Sequence, residues 1–183
     1  MISLDDGQPD FPVYCDHSTN EGGWIVFQNR YAPFKMSFNR EWVEYERGFG
    51  NLASEHWLGN EILKRLTANT TRRLLIELTN EKGESGFAQF LSFKVSGRIN
   101  TLSVESYSGS IGDSISHVEP SWNLSYVAFS TPDRDNDNNI GGKCSTNSGW
   151  WFNWCSKCDL NAQNPWWSTW ANAAITRTMM KLR

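Results

Sequence analysis

Gly22-Gly23-Trp24-Ile25-Val26-Phe27-Gln28-Asn29-Arg30 opens with two glycines and continues into a run of large apolar residues. Paired glycines favour a turn, and a short apolar run after a turn is typical of a buried strand. We therefore predict a buried strand over residues 24–27.

Two short helices are predicted downstream of this strand. The first covers residues 40–47, with Asn39 as its N-cap and Gly48 at its end. The second has Asn60 as its cap and carries an apolar stripe formed by Ile62, Leu63 and Leu66. We expect both helices to lie on a sheet.

The sheet is predicted from residues 74–78, 87–95 and 102–104 and from a closing strand over 175–182. In the second segment these residues alternate with smaller or polar ones: Phe87, Gln89, Leu91, Phe93 and Val95. Strands outnumber helices, and no regular βαβ alternation is present.

The composition limits the class of protein. With 183 residues, 39% hydrophobic and 20% charged, the chain has the size of one well-buried domain. Its net charge is −3 and its longest basic run is Arg72-Arg73, so nucleic acid is not an expected partner. No apolar stretch approaches the roughly 20 residues of a membrane-spanning helix, and residues 1–10 lack the apolar segment of a signal peptide. We expect a soluble chain, without membrane insertion, cut from a longer protein.

From Ser106 onward the chain is rich in Gly, Ser, Asn, Asp and Trp, and we expect function in this irregular region. Most of the ten tryptophans are predicted to fill the core, including Trp150 and Trp151. Trp154 and Trp166 are the two that we expect to be exposed.

The acidic loop, Asp133-Arg134-Asp135-Asn136-Asp137-Asn138-Asn139-Ile140-Gly141-Gly142, carries alternate carboxylates followed by Asn and Gly. Hard oxygens brought to one point by a curled backbone are what calcium requires. The loop is not an EF-hand, because Asn138 occupies the sixth position and Cys144 the twelfth. The alternative is a solvated turn rich in Asx residues.

Cys144 and Cys155 are predicted to form a disulfide that closes the chain just after the acidic loop. A zinc site is the alternative, with ligands drawn from the other cysteines and from His17, His56 and His117. A redox pair of Cys155 and Cys158 is a further alternative, but the setting is not strand-to-helix. The disulfide is favoured, and it implies an oxidising compartment.

Seven stretches in series resemble the fibrinogen C-terminal domain family, which includes ficolins, tachylectins, tenascins and angiopoietins. They run in family order across nearly the whole chain and cover residues 11–16, 22–30, 48–52, 55–61, 107–114, 129–137 and 150–153. They include Gly22-Gly23-Trp24-Ile25-Val26-Phe27-Gln28-Asn29-Arg30 and Phe129-Ser130-Thr131-Pro132-Asp133-Arg134-Asp135-Asn136-Asp137, and such a series is very specific.

The resemblance implies an α+β fold with a central twisted antiparallel sheet, short helices and a loop-rich calcium-binding subdomain. We expect one domain over residues 1–183. Its parts are an incomplete N-terminal part at about 1–22, a sheet part at about 23–125, and a calcium- and ligand-binding part with the closing strand at about 126–183.

The same resemblance assigns ligands and disulfides. Calcium would be held by the side chains of Asp135 and Asp137 and by two backbone carbonyls, at Asn139 and Gly141 or shifted by one residue. The Cys144–Cys155 pair matches the family's second disulfide. Cys15 matches half of the first, whose partner would precede Met1, and segments before Met1 would also be where chains assemble into oligomers.

The chain departs from the family where its lectins bind acetylated sugars. Ser156 stands where a His is usual, and part of the binding loop is missing. A cis Trp154–Cys155 peptide bond is the place to look for strain. The extra cysteine, Cys158, would pair with Cys15, crosslink two chains or remain free. The predicted ligand-binding residues are Asn153, Trp154, Cys155, Ser156, Asp159 and Trp166.

Two binding functions follow, and neither is enzymatic. The first is a secreted, calcium-dependent lectin-like domain of innate immunity that recognises glycans or acetylated groups. The second is a protein-binding module, of the angiopoietin or tenascin kind, that docks a protein receptor. No nucleophile elbow, metalloprotease helix or phosphate-cradling glycine loop is present. The sequons Asn69-Thr70-Thr71 and Asn123-Leu124-Ser125 fit a secreted chain.

Overall fold

A single antiparallel sheet of eight strands organises the structure, a computed structural model that describes residues 1–116, 120–170 and 172–183. Its strands are β1 (Tyr14–Asp16), β2 (Trp24–Tyr31), β3 (Phe49–Gly50), β4 (His56–Trp57), β5 (Arg72–Asn80), β6 (Ser85–Ser96), β7 (Thr101–Gly109) and, after four short strands outside the sheet, β12 (Ile175–Leu182). The α+β class, with few short helices on a central antiparallel sheet, is therefore confirmed.

The last strand lies in the middle of the sheet. The spatial order is β3-β4-β2-β12-β5-β6-β7, with β1 added beside β2. In β12, Met179 lies opposite Asn29 of β2 and Glu77 of β5. The predicted bounds of this closing strand, 175–182, are confirmed, and the C-terminal residues join the two halves of the sheet.

The predicted alternation in β6 is interrupted. Phe93 and Val95 are buried as expected, but Phe87 and Leu91 are exposed. The register between β5 and β6 shifts next to Leu91, and such a bulge moves every following side chain to the opposite face. A uniform period of two could not anticipate this change of face.

Both helices form, with their starts displaced from the predicted caps. Helix α1 spans Trp42–Arg47 and is preceded by Glu41, whose N–H donates to the Glu44 carboxylate (3.0 Å). Asn39 is therefore not the cap, because this acidic pair starts the helix two residues later. Gly48 ends α1 as predicted.

Helix α2 spans Asn60–Thr67 and follows Gly59, which has a φ of 113° that favours glycine. Asn60 is the first helical residue and not the cap, since its side-chain oxygen accepts a hydrogen bond from the Trp57 indole (3.2 Å). The predicted stripe packs inward, with Leu63 and Leu66 buried.

The core joins the first helix to the loop-rich half through aromatic rings. Tyr45 of α1 lies 5.1 Å from Phe129, between ring centroids, and Phe129 lies 5.1 Å from Trp151. Trp150 and Trp151 are 0% and 1% exposed, so their predicted place in the core is confirmed.

Among the residues that the structure describes, the loop-rich half contains four short strands and two 3₁₀ turns. Strand β8 (Phe129–Ser130) pairs with β9 (Trp150–Trp151), and β10 (Cys158–Asp159) pairs with β11 (Trp166–Trp167). The 3₁₀ turns are Pro120–Trp122 and Ser168–Trp170.

Strand β2 of the large sheet binds this half by buried hydrogen bonds. Arg30, 1% exposed, donates through Nη1 to the carbonyls of Leu160 (2.8 Å) and Ala162 (2.6 Å). Gln28 donates to the Leu160 carbonyl as well (3.1 Å) and to the Asn161 side chain (3.2 Å). Polar side chains of the sheet thus satisfy backbone groups that no regular element pairs.

Gly149 is needed where the loop-rich half meets α1. Its N–H donates to the Tyr45 hydroxyl (3.0 Å), and a Cβ at this position would lie 2.5 Å from the Tyr45 ring. Because Tyr45 is fully buried, we expect Gly149→Ala to lower the free energy of unfolding by about 1–3 kcal/mol through overpacking. Urea unfolding measures this loss.

Gly142→Ala is the matched control, because the atom nearest to its Cβ would be 3.9 Å away, on Asn139. We expect a change within about 0.5 kcal/mol, typical of surface substitutions. Equal losses in the two variants would contradict the close approach of Gly149 to Tyr45.

Candidate functional site

The acidic loop is curled by bonds from side chains to nearby backbone. Asp135 Oδ1 accepts from the Asp137 N–H (3.1 Å), Asp137 Oδ1 from the Asn139 N–H (2.8 Å), and Asn139 Oδ1 from the Gly141 N–H (3.1 Å). The second oxygen of Asp137 accepts from the Cys144 N–H (2.9 Å). This series of Asx turns sets the path of the loop.

Asp133, the first carboxylate of the loop, binds the start of α1. It accepts hydrogen bonds from the Trp42 N–H (2.8 Å) and the Thr131 hydroxyl (2.7 Å). Burial opposes ionisation of Asp133, but these bonds outweigh it and lower the pKa of its carboxyl below the ordinary value. Arg134 stacks over the Trp42 ring at 4.1 Å. The carboxylates left for a cation are therefore Asp135 and Asp137.

The remaining donors of the acidic loop suit calcium. The carbonyl oxygens of Asn139 and Gly141 accept no hydrogen bond from any residue that the structure describes. Two carboxylates and two carbonyls are hard oxygen ligands, and water completes such a shell to the six to eight that calcium takes. Calcium at Asp135, Asp137, Asn139 and Gly141 stays a prediction.

The chain after the acidic loop is closed by a disulfide between Cys144 and Cys155, whose Cα atoms are 4.9 Å apart. Neither cysteine has a thiolate for zinc or for the redox pair with Cys158. Within the described ranges, no three His, Cys, Asp or Glu side chains are grouped to hold a metal. His117, one of the candidate zinc ligands, lies outside those ranges.

The two cysteines outside this disulfide are free. Cys158 is fully buried, and burial raises the pKa of its thiol well above the ordinary value. It is therefore not placed to crosslink two chains. Cys15 lies half-buried on β1.

The disulfide leads into a strained turn. Trp154, Cys155 and Ser156 have φ values of 49°, 72° and 73°, a left-handed conformation that costs free energy in residues other than glycine. The expected place of strain is therefore right, but the expected cis bond between Trp154 and Cys155 is wrong. In the described part of the chain, the cis bond is Ala32–Pro33.

Two predicted ligand groups in this turn are buried and bonded internally. The Asn153 amide donates to the carbonyls of Pro120 (3.2 Å) and Asn123 (2.9 Å), and its oxygen accepts from Asn138 of the acidic loop (2.9 Å). The Ser156 hydroxyl donates to a backbone carbonyl (2.7 Å). Asn153 therefore fastens the acidic loop to the strained turn, and Ser156 supports the turn from inside.

Asp159 is a third predicted ligand group that is buried, at 4% exposure. Its carboxylate accepts hydrogen bonds from the Ser148 hydroxyl (2.6 Å) and from the N–H groups of Asn161 (2.8 Å) and Ala162 (2.9 Å). Burial nevertheless raises the pKa of Asp159 to about 6, against the effect of these bonds and of the Arg30 charge. Asp159 therefore supports the backbone of the site from inside and does not face a ligand.

The two tryptophans expected at the surface are there. Trp154 is 45% exposed and Trp166 is 38% exposed. The segments that carry them are joined, because Asp159 pairs with Trp166 between β10 and β11 and the Ser168 N–H donates to the Lys157 carbonyl (3.0 Å). Trp166 also lines a mainly apolar cavity of about 310 Å³ with Pro165, Trp167, Ser168, Trp170, Ala173, Ala174 and Ile175.

A further aromatic group, on a segment bonded to the one that carries Trp154, was not predicted. Trp122 is half-buried, and the Lys157 ammonium lies 4.4 Å from its ring centre. The bond from Asn153 to the Asn123 carbonyl brings this turn to the Trp154 segment. Nothing in the sequence signals the pair, because 35 positions separate its members. We call Trp122, Trp154, Lys157 and Trp166 the tryptophan surface.

A separate polar groove of about 480 Å³ lies on the large sheet. Tyr14, Asp16, Glu77, Phe87 and Arg177 contribute to its lining. It contains none of the predicted site residues.

Comparisons with known proteins agree with this architecture. The family model described as "Fibrinogen beta and gamma chains, C-terminal globular domain" matches residues 1–182. Fibrinogen-like protein 1 of Rattus norvegicus is 40% identical over 200 residues, which cover 95% of this chain and 63% of the relative. The chain thus spans less than two thirds of that relative.

Solved structures of the same fold include two that bear on this chain. The fibrinogen-like globe domain of human ANGPTL2 has a TM-score of 0.85 and 29% identity, covering 93% of this chain and 84% of that one. The lamprey fibrin D-dimer, solved with the peptide Gly-His-Arg-Pro-amide, has a TM-score of 0.88 and 30% identity, covering 98% and 66%.

The buried Asp159 carboxyl predicts a pH dependence of stability. Its pKa of about 6 in the folded state exceeds the ordinary 3.8, so the folded state holds the proton more tightly. The stabilisation is complete below about pH 4 and is lost as the pH rises through about 6. Asp159→Asn keeps the shape and cannot ionise, so its free energy of unfolding relative to wild type should be about 2–3 kcal/mol higher at pH 7.5 than at pH 4.

Urea unfolding of both proteins across this range measures the difference. Parallel stability profiles for wild type and Asp159→Asn would contradict the raised pKa.

Proposed function

The chain belongs to the fibrinogen C-terminal domain family, whose members are non-enzymatic binding domains, and we propose that it is an extracellular module that binds a protein or peptide partner. The observation that carries this proposal is the tryptophan surface. Trp154 and Trp166 are exposed while the polar side chains of the same segments are bonded internally.

Exposed rings on a rigid frame favour a protein partner. Tryptophan is enriched at protein interfaces, because it supplies a large contact area and loses little conformational entropy on binding. The disulfide and the Asn138–Asn153 bond hold the Trp154 segment before a partner arrives. Preorganisation of this kind reduces the entropic cost of association.

Recognition of a glycan or acetylated group has less support. Such a ligand needs several fixed polar groups that face it as well as a ring. Asn153, Ser156 and Asp159 were the candidates for these groups, and all three are buried and bonded within the protein.

Two further observations fit the proposal. The lamprey neighbour was solved with a short peptide, which supports a peptide segment as the kind of ligand. The Cys144–Cys155 disulfide supports an extracellular location, since such bonds persist in oxidising compartments. None of the described helices has the length and hydropathy to cross a membrane.

We assign calcium a supporting role. Bound at Asp135 and Asp137, the ion would neutralise two neighbouring carboxylates and fix the curled acidic loop. Asn138 of that loop reaches Asn153, one residue before Trp154 (2.9 Å). The ion would thus order the tryptophan surface without touching the partner.

Calcium should raise the melting temperature. Binding to the folded state alone adds about 2.7 kcal/mol at a hundredfold excess over Kd, which corresponds to several degrees. Removal of calcium by a chelator should reverse the shift, and Asp135→Ala should abolish it. Asp133→Ala is the control that keeps the shift, because Asp133 binds Trp42 and Thr131. A wild-type melt that is indifferent to added calcium after complete metal removal would refute the assignment.

Partner binding should require the exposed rings. Peptides selected from a displayed random library against the folded domain provide the probe. Trp154→Ala and Trp166→Ala should each weaken their binding at least tenfold, the loss typical of an interface hot spot. The calcium-dependent melting shift should remain, because ring contact and chelation use different atoms.

Phe87→Ala is the matched control, since Phe87 is an equally exposed ring (41%) on the separate sheet groove. If both tryptophan variants bind the peptides normally, the recognition surface lies elsewhere on the domain. Saturable, competable binding on a glycan array, lost in the same variants, would favour the lectin function instead.

A further inference from the structure

The two sequons occupy very different places in the fold. Asn69 lies in the bend that joins α2 to β5, within a run of exposed residues at positions 68–71. Its side chain makes no hydrogen bond with the described part of the chain, so the amide nitrogen is free to carry a substituent. The sequon hydroxyl, on Thr71, is exposed too.

The surface beside Asn69 has room for the first sugars of a glycan. A shallow polar hollow of about 240 Å³ is lined by this bend and by side chains of β6 and β7. Ser92, Lys94 and Ser103 supply hydroxyl and ammonium groups there. A sugar attached at Asn69 would find hydrogen-bond partners on the sheet and would displace no packed side chain.

Asn123 has no such freedom. Its amide nitrogen donates to the Ser116 carbonyl (2.9 Å), and its side-chain oxygen accepts from the Ser125 N–H (2.7 Å). Leu124, the middle residue of the sequon, is fully buried, and the Ser125 hydroxyl donates to the Val104 carbonyl (3.2 Å). All three residues of this sequon are therefore part of the packed fold.

Asn123 also belongs to the frame of the tryptophan surface. Its carbonyl accepts the Asn153 amide (2.9 Å), and it directly follows Trp122. A glycan at Asn123 would stand beside Trp154 and Lys157, whereas Asn69 is not bonded to any of these segments. Modification at Asn69 alone would leave the recognition surface uncovered.

We propose that Asn69 carries an N-linked glycan and that Asn123 is left unmodified. The Asn69 amide nitrogen displaces the pyrophosphate of a lipid-linked oligosaccharide donor. An N–C bond forms to the sugar, the sugar–phosphate C–O bond breaks, and the amide loses one proton. Because the packed fold needs the Asn123 amide in its bonded, unsubstituted form, a chain modified there does not reach the folded state, and the folded, secreted protein carries its glycan at Asn69. This inference depends on the extracellular location stated under the proposed function.

For the test, the chain is expressed in eukaryotic cells with a signal peptide added to it, so that it passes through the secretory pathway. Folded wild-type protein from the medium is treated with an amidase that removes N-glycans and converts the modified Asn to Asp. Peptide mapping then locates the new Asp. We expect it at position 69 and unchanged Asn at 123. Intact mass should show one oligosaccharide, lost in both Asn69→Gln and Thr71→Ala.

Ser125→Ala is the matched control, which should keep the full glycan mass. Mapping the wild type settles the site even where a variant folds poorly. Asp found at position 123, or unmodified Asn69 in folded secreted protein, would overturn the inference. Those results would leave the proposed partner binding intact, because the tryptophan variants test it independently.

Discussion

Arg30 donates from the sheet to the carbonyls of Leu160 and Ala162, and the organisation of the loop-rich half depends on this buried contact. That half has few ladders of its own, so its backbone groups need partners from elsewhere. Gln28 and Tyr45 provide two more such bonds. Gln28 donates to the Leu160 carbonyl, and the Tyr45 hydroxyl accepts from the Gly149 N–H. The Arg30 guanidinium also stacks on the Phe38 ring at 4.4 Å, which fixes the direction of its hydrogen bonds to Leu160 and Ala162.

This way of holding a loop limits what its side chains can do. The side chains of Asn153, Ser156 and Asp159 form internal hydrogen bonds, because a buried polar group without a partner costs free energy. What remains for recognition is surface that the frame does not use, the rings of Trp154 and Trp166. The division explains why residues of one short stretch differ so much in exposure, from 3% at Ser156 to 45% at Trp154.

The acidic loop and the tryptophan surface are mechanically one unit. The Cys144–Cys155 disulfide closes the segment between them, and Asn138 and Asn153 join across it. The left-handed turn at residues 154–156 is retained by these ties, since strain of this kind persists only where its surroundings hold it. Order in the acidic loop therefore passes directly to the turn that presents Trp154.

The sequence by itself determined the family, the closing strand, the disulfide and the outward place of Trp154 and Trp166, because motifs in series and local hydrophobic pattern are written along the chain. It also identified an acidic loop with donors that suit calcium. Only the tertiary structure decided that the closing strand lies between β2 and β5 and that Lys157 meets Trp122. It alone showed that the polar side chains beside Trp154 face inward. These are pairings between segments that lie far apart in the sequence. They are selected in the folded core, where buried polar groups need hydrogen-bond partners, and no local sequence pattern records that need.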